Sequence, residues 1–273
     1  MKRLLIFFIC STVLSQIYAQ RYNGNWDAYL MEVNKKPVSI VVDLDFGSSV
    51  EAKQRPNVII VSIQLNDARE DGMPGKEELR ILDSLENELV NMLRNNLNAI
   101  YAGRYTLNGK RDFYFYTNDT SNCRSQIKLV FQSFPSYTWE LKVKPDADLG
   151  YYKNVLYPTP REMERIQNHI VVDDLRKKGD LLKAPRKIDH FIFFKTEADR
   201  KRFAGIVQDS GFVVESAGQE IGINGFPFTL QVSRTDKVDY NSIDHVSLFL
   251  WELAMQHFGK YNGWETFVVK GEE

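Results

Sequence analysis

At 273 residues, 43% of them hydrophobic and 26% charged, the chain is long enough for two domains with cores of their own, and its composition excludes a disordered polymer. The formal charge is -1 at pH 7, too small for a global electrostatic case for nucleic acid or an anionic membrane surface.

The chain starts with a short positive stretch, Lys2-Arg3, followed by an apolar run from Leu4 to Leu14 and by Ile17-Tyr18-Ala19, which ends in a small residue. That pattern predicts a signal peptide over 1–19, cleaved after Ala19, and hence an exported protein, periplasmic or secreted. The apolar run is too short to span a bilayer, so no membrane span is expected in the mature chain. With Cys10 in that segment, Cys123 stands alone and has no partner for a disulfide. It reads as a small apolar residue near a helix start.

From Trp26-Asp27-Ala28-Tyr29 the mature chain opens, and Val38 to Leu44 reads as a β-branched strand. Val58 to Ile63 is too continuously apolar for a half-exposed strand and belongs inside a sheet. Pro74 and Glu77-Glu78 suit a helix start, Leu79, Leu82, Leu85, Leu89 and Leu93 give it a sheet-facing stripe, and Asn95-Asn96 ends it. Gly72-Met73-Pro74-Gly75-Lys76 lacks the spacing and hydroxyl of a phosphate loop and reads as a tight turn. Asn108-Gly109 joins two strands as a type I′ hairpin. In the second of these, Phe113 and Phe115 are expected to face the core and Tyr114 and Tyr116 to face out. A helix from about Ser121 and a strand carrying Trp139, Leu141 and Val143 complete a first domain over 20–144.

Residues 145–158 read as the connection. Thr159-Pro160-Arg161-Glu162 then marks a capped helix start, with Met163, Ile166, Ile170 and Leu175 as its apolar stripe and Gly179 past its end. Ile188 to Phe194 reads as a strand, Thr196 and Asp199 as a helix start, and two strands flank Asn224-Gly225. Ser242 is expected to cap the last helix, and Gly259 to end it ahead of an Asn262-Gly263 turn and a final strand. From Val58 the first half therefore reads strand, helix, strand, strand, helix, strand, and the second half repeats that order after one extra helix. The fold class expected is α+β, with two ferredoxin-like (split βαβ) sandwich domains in tandem, the second over 159–273.

Asp173 to Asp180, Asp189-His190 with the strand that follows, Gly211-Phe212 and above all Gly259-Lys260-Tyr261-Asn262-Gly263-Trp264-Glu265-Thr266 resemble the regulator of ribonuclease E activity B family. Trp26-Asp27, Arg55-Pro56 and Asn108 to Thr117 resemble a family known as domain of unknown function 695. The first resemblance implies a non-catalytic domain that inhibits a ribonuclease by contact; the second implies no activity. An exported chain would not meet a cytoplasmic ribonuclease, so binding character carries over and that partner does not.

The binding residues this points to are Asp189, His190, Tyr261, Asn262, Trp264 and Glu265, with another protein as partner and no cofactor, metal or nucleic acid. Trp264 is expected to pack inward. From Arg161 to Arg202, twelve Lys or Arg stand against eight Asp or Glu, the mark of solvated helix faces or of a docking patch. One alternative is a hydrolase-type envelope enzyme with a site between the domains, using His190 and a carboxylate, Asp189 or Glu265. Another is a cytoplasmic RNA-related regulator, which requires that residues 1–19 not direct export.

Overall fold

The computed structural model describes residues 24–220 and 225–270. The signal peptide expected over 1–19 and Asn224 of the second hairpin signal lie outside the described residues. Among the described residues, no helix is long and apolar enough to cross a membrane.

The architecture is mixed α+β, with two separate antiparallel sheets in two tandem domains. In the first, β1 (Trp26–Val33), β2 (Lys36–Asp43), β3 (Asn57–Gln64), β4 (Ile100–Leu107), β5 (Lys110–Thr117) and β6 (Trp139–Pro145) lie in the order β1-β2-β4-β5-β3-β6. A short helix α1 (Val50–Lys53) precedes β3, α2 (Lys76–Leu97) follows it, and α3 (Cys123–Ser133) precedes β6. In the second domain α4 (Pro160–Lys177) leads into β7 (Arg186–Phe194), α5 (Glu197–Asp209), β8 (Val213–Gln219), β9 (Phe228–Asp236), α6 (Tyr240–Gln256) and β10 (Gly259–Glu265). Its four strands are ordered β10-β7-β9-β8.

The first sheet is covered on both faces, which explains the unbroken apolar run of β3. Ile59, Val61 and Ile63 enter a core under α2 and α3, while Val58 and Ile60 enter a second core on the opposite face. β5 does the same. Phe113 and Phe115 go under the helices, and Tyr114 and Tyr116, expected to face out, are buried in the second core instead. What covers them is the stretch read as connection. Leu149, Tyr152 and Leu156 pack into that core. Tyr116 Oη donates to Asp146 Oδ2 at 2.6 Å and accepts from Tyr152 N at 3.0 Å.

Other local expectations shift for identifiable reasons. Asn108 and Gly109 both take positive φ, 51° and 77°, as a type I′ hairpin requires. The β1–β2 hairpin turns through Asn34 and Lys35, at φ 51° and 62°, without the glycine that would have marked it in sequence. In α2, Leu79 is 40% exposed and the buried stripe continues instead to Leu97, ended by left-handed Asn98. In α4, Ile170 is exposed, and Ile166, Val172 and Leu175 are buried. Asp239, not Ser242, caps α6, accepting from Ser242 N at 3.1 Å.

Gly259 opens β10 and does not end α6; Phe258, at φ 56°, makes that turn. The glycine is required by contact, because a Cβ there would stand 2.5 Å from Cε1 of the fully buried Phe194. Asn262-Gly263 is likewise no free turn. It is a bulge inside β10, where the pairing with β7 shifts between Tyr261 and Trp264 and Gly263 takes φ 95°. Gly259→Ala is expected to destabilise the chain by about 1–3 kcal/mol through overpacking against Phe194, read as a lower urea midpoint with an unchanged slope.

Candidate functional site

The six residues singled out in the sequence divide between the two faces of the second sheet. His190, Tyr261 and Trp264 point into the helix-covered side and are buried. Asp189 and Glu265, paired in register across β7 and β10, lie on the outward face, and Asn262 is exposed in the bulge. Asp189 accepts from Gln231 Nε2 at 3.0 Å and pairs with Lys187 Nζ at 3.3 Å. Successive strand residues face opposite ways, so Asp189 and His190 are kept apart.

His190 is fully buried, and its Nδ1 lies 2.8 Å from the Tyr261 hydroxyl. Its Nε2 meets no hydrogen-bond partner among the described residues. Burial pushes its pKa down to about 3, so the ring is neutral at physiological pH. A neutral imidazole enclosed in the core holds the phenol in place. It is not at a surface where a substrate could reach it, so the His190-with-carboxylate arrangement of an interdomain enzyme is not assembled.

Trp264 closes the core between α4, α6 and β7, and its Nε1 donates to Asn168 Oδ1 at 2.9 Å. From there a polar chain runs outward. The buried Asn168 amide donates to Ser247 Oγ at 2.6 Å and to Asp244 Oδ1 at 2.9 Å. The other Asp244 oxygen lies 3.0 Å from His169 Nε2 and 4.0 Å from Arg165 Nε. His169 also packs on Tyr240, with ring centroids 4.3 Å apart.

These outer groups line a groove of about 780 Å3 between the two domains. One wall is α4, where Arg161, Arg165 and His169 recur every fourth residue and so share a face. The facing wall is α6, with Tyr240, Asp244, Leu248, Phe249 and Glu252; Ala28, Tyr29 and Leu30 of β1 and Ser39 of β2 supply the third side. Arg161 Nε pairs with Glu252 Oε1 at 3.0 Å, both half-exposed. Arg165 Nε is enclosed with no hydrogen-bond partner among the described residues. The site mixes cationic donors with exposed Leu30 and Phe249, a composition suited to a partner that brings both carboxylate and apolar groups.

None of Arg165, His169, Tyr240 or Asp244 was singled out from sequence, although the α4 cations fall in the basic-biased stretch. The legible signal was the four-residue spacing of Arg161, Arg165 and His169. Nothing in the sequence places β1 opposite them.

On α4, next to Arg165, Glu164 has its pKa held up to about 7, by burial first and then by the Asp244 carboxylate. Its folded pKa lies above the unfolded 4.5, so stability is lost as pH rises through that interval. Glu164→Gln is therefore expected to gain about 1–2 kcal/mol on the wild type at pH 8 and little at pH 4, measured by urea unfolding at each pH. His190 has the opposite sign. Its folded pKa lies below the unfolded 6.5, so stability falls as pH drops below that value, and His190→Phe is expected to show a shallower acid limb. Trp264→Ala should cost about 3 kcal/mol or more. Asn168→Ala should cost about 2–3 kcal/mol, because it strands the indole N–H and Ser247 together. An unchanged melting temperature in either would overturn the closing role of this chain of contacts.

Residues 24–157 match the model of a family of unknown function, DUF695, and residues 165–266 match that of the family described as regulator of ribonuclease activity B. No curated protein matches the chain. A solved structure, described as an unknown protein from Galdieria sulphuraria, aligns over 76% of this chain and 96% of its own at 8% identity with a TM-score of 0.20, a score that carries no inference about the fold. The two halves of the chain are thus similar to two different families, with the change falling around the start of α4.

Proposed function

We propose that this chain is an exported, non-catalytic binding protein that regulates another protein by contact. The observation that carries the reading is the match of residues 165–266 to regulators of ribonuclease activity. The strand order adds support. In the second sheet, β10-β7-β9-β8 is the order that a split βαβ, ferredoxin-like unit produces, and β6-β3-β5-β4 repeats it within the first sheet, with β2 and β1 added at its end. We read the chain as two such units in tandem.

The partner is another protein and, for an exported chain, not ribonuclease E. The Lys2-Arg3 start, the apolar run and Ala19 motivate the exported location. The regulator-like half supplies rigidity and the Trp264–Asn168–Asp244 chain, and the groove supplies contact groups.

Two measurements test this. N-terminal sequencing of the native protein is expected to begin at Gln20; a chain beginning at Met1 and recovered from cytosol would overturn the export. Affinity capture with the mature chain should retain a defined protein from an envelope extract. A hydrolase activity of the purified chain that falls in His169→Gln would overturn the non-catalytic half of the reading.

A further inference from the structure

Among the described residues four strands stand at sheet edges, and three of them carry the features that keep an edge from pairing with another chain. β6 alternates Glu140, Lys142 and Lys144 and ends at Pro145. β8 is broken by a register shift between Val214 and Ser216, and β10 by the one between Tyr261 and Trp264. β1 is the least guarded. It contains no Lys or Pro and pairs with β2 over all eight of its residues without a bulge; its charges are Asp27 and Glu32, and Asp27 Oδ1 accepts from Ala28 N at 2.7 Å. Its other side is the end of the sheet, so alternate backbone N–H and C=O groups there point away from any strand. Leu30 stands 64% exposed on it.

That edge is where the groove runs. Ala28 and Leu30 share one face of β1 and Tyr29 lies on the other, and all three line the cavity. On the Tyr29 side stands α4: Tyr29 packs in the same core as Ile166. Arg165 and Arg161 project from that helix, the first with no hydrogen bond to its Nε among the described residues and a long 4.0 Å pairing with Asp244, the second in a half-exposed pair with Glu252 that water already weakens. On the other side Ala28 and Leu30 offer apolar surface.

We propose that the groove takes an extended segment of the partner protein, which adds to the first sheet as a strand beside β1. Main-chain hydrogen bonds to the β1 edge hold the segment. Because its side chains alternate between faces, those directed to α4 are acidic and meet Arg165 and Arg161, and those directed to Leu30 are apolar. This rests on the reading of the chain as a protein-binding regulator and gives the chemistry of what is bound.

A display library of random decapeptides, panned against the purified chain, tests it. The expected result is enrichment of sequences alternating acidic and apolar residues. The best of them, made as a free peptide, should slow amide exchange in residues 26–33, and N-methylation of alternate amides should weaken its binding at least about tenfold. Leu30→Lys and Arg161→Gln change exposed positions, should melt near the wild-type temperature, and should each weaken binding by a similar factor. Absence of enrichment, full affinity of the N-methylated peptide, or binding undiminished in both variants would overturn the proposal. So would a dimer in which exchange at 26–33 is already slow without peptide, since a second copy would then cover the edge. If both variants still retain the protein captured from envelope extract, the binding role stands and the groove assignment falls. If neither library nor extract yields a ligand, both fall.

Discussion

Helix α4 has to serve two cores at once, and the placement of everything in the groove depends on it. Ile166 is buried in the core of the first domain, while Val172 and Leu175 are buried in that of the second. The helix is a rigid rod rising 1.5 Å per residue, so seating Ile166 fixes where Leu175 falls. Between them sits Asn168, 1% exposed, whose amide is bonded on both ends. A buried amide in this position tolerates little sliding, because a shift of one residue would strand its donors and the Trp264 indole together. The two domains are therefore keyed by one apolar residue on one side and one hydrogen-bonded amide on the other.

This gives the C-terminal motif a physical role that differs from a contact surface. Tyr261 and Trp264 close the core of the second domain, and the bulge at Asn262-Gly263 allows both to face inward although three positions separate them, since strict alternation would send one of them out. Trp264 then reaches Asn168, and Asn168 reaches Asp244, which orients His169 beside Tyr240. The motif thus acts on the groove from behind. His190 and Glu164, whose pKa values are displaced in opposite directions by burial, make this interior least costly where their two ranges overlap, between pH 4.5 and 6.5, where the imidazole is neutral and the carboxyl still protonated.

Much of the fold was legible because the local signals carried their own mechanism. Asn108-Gly109 could be read as a hairpin because both turn positions need positive φ, and Thr159 as a cap because Pro160 and Glu162 follow it. Trp264 was expected to pack inward, and does. The misreadings share a cause: burial set by distant chain. Tyr114 and Tyr116 looked outward-facing because the segment that covers them, around Tyr152, lies thirty-odd residues on in sequence. Asn34-Lys35 hid the first hairpin because left-handed geometry there is borne by residues other than glycine. The groove was illegible because β1 meets α4 only through the tertiary arrangement, and neither stretch signals the other.

The β1–β2 hairpin also explains why the groove needs both halves of the chain. Without it, the four strands β4-β5-β3-β6 would end at β4, whose pairing with β5 is already irregular between Tyr101 and Gly103, a poor template for an added strand. The hairpin moves the sheet edge outward by two strands and replaces an irregular border with a regular one. It also brings that border within reach of α4, whose Arg161 and Arg165 supply the cations that β1 itself lacks. An edge left regular and apolar in isolation would pair indiscriminately. Under the arginines of α4 it can instead discriminate, because a segment without carboxylates would desolvate Arg161 and Arg165 with only the half-exposed Glu252 and the more distant Asp244 to compensate, and that penalty turns a general strand-pairing tendency into selection among partners.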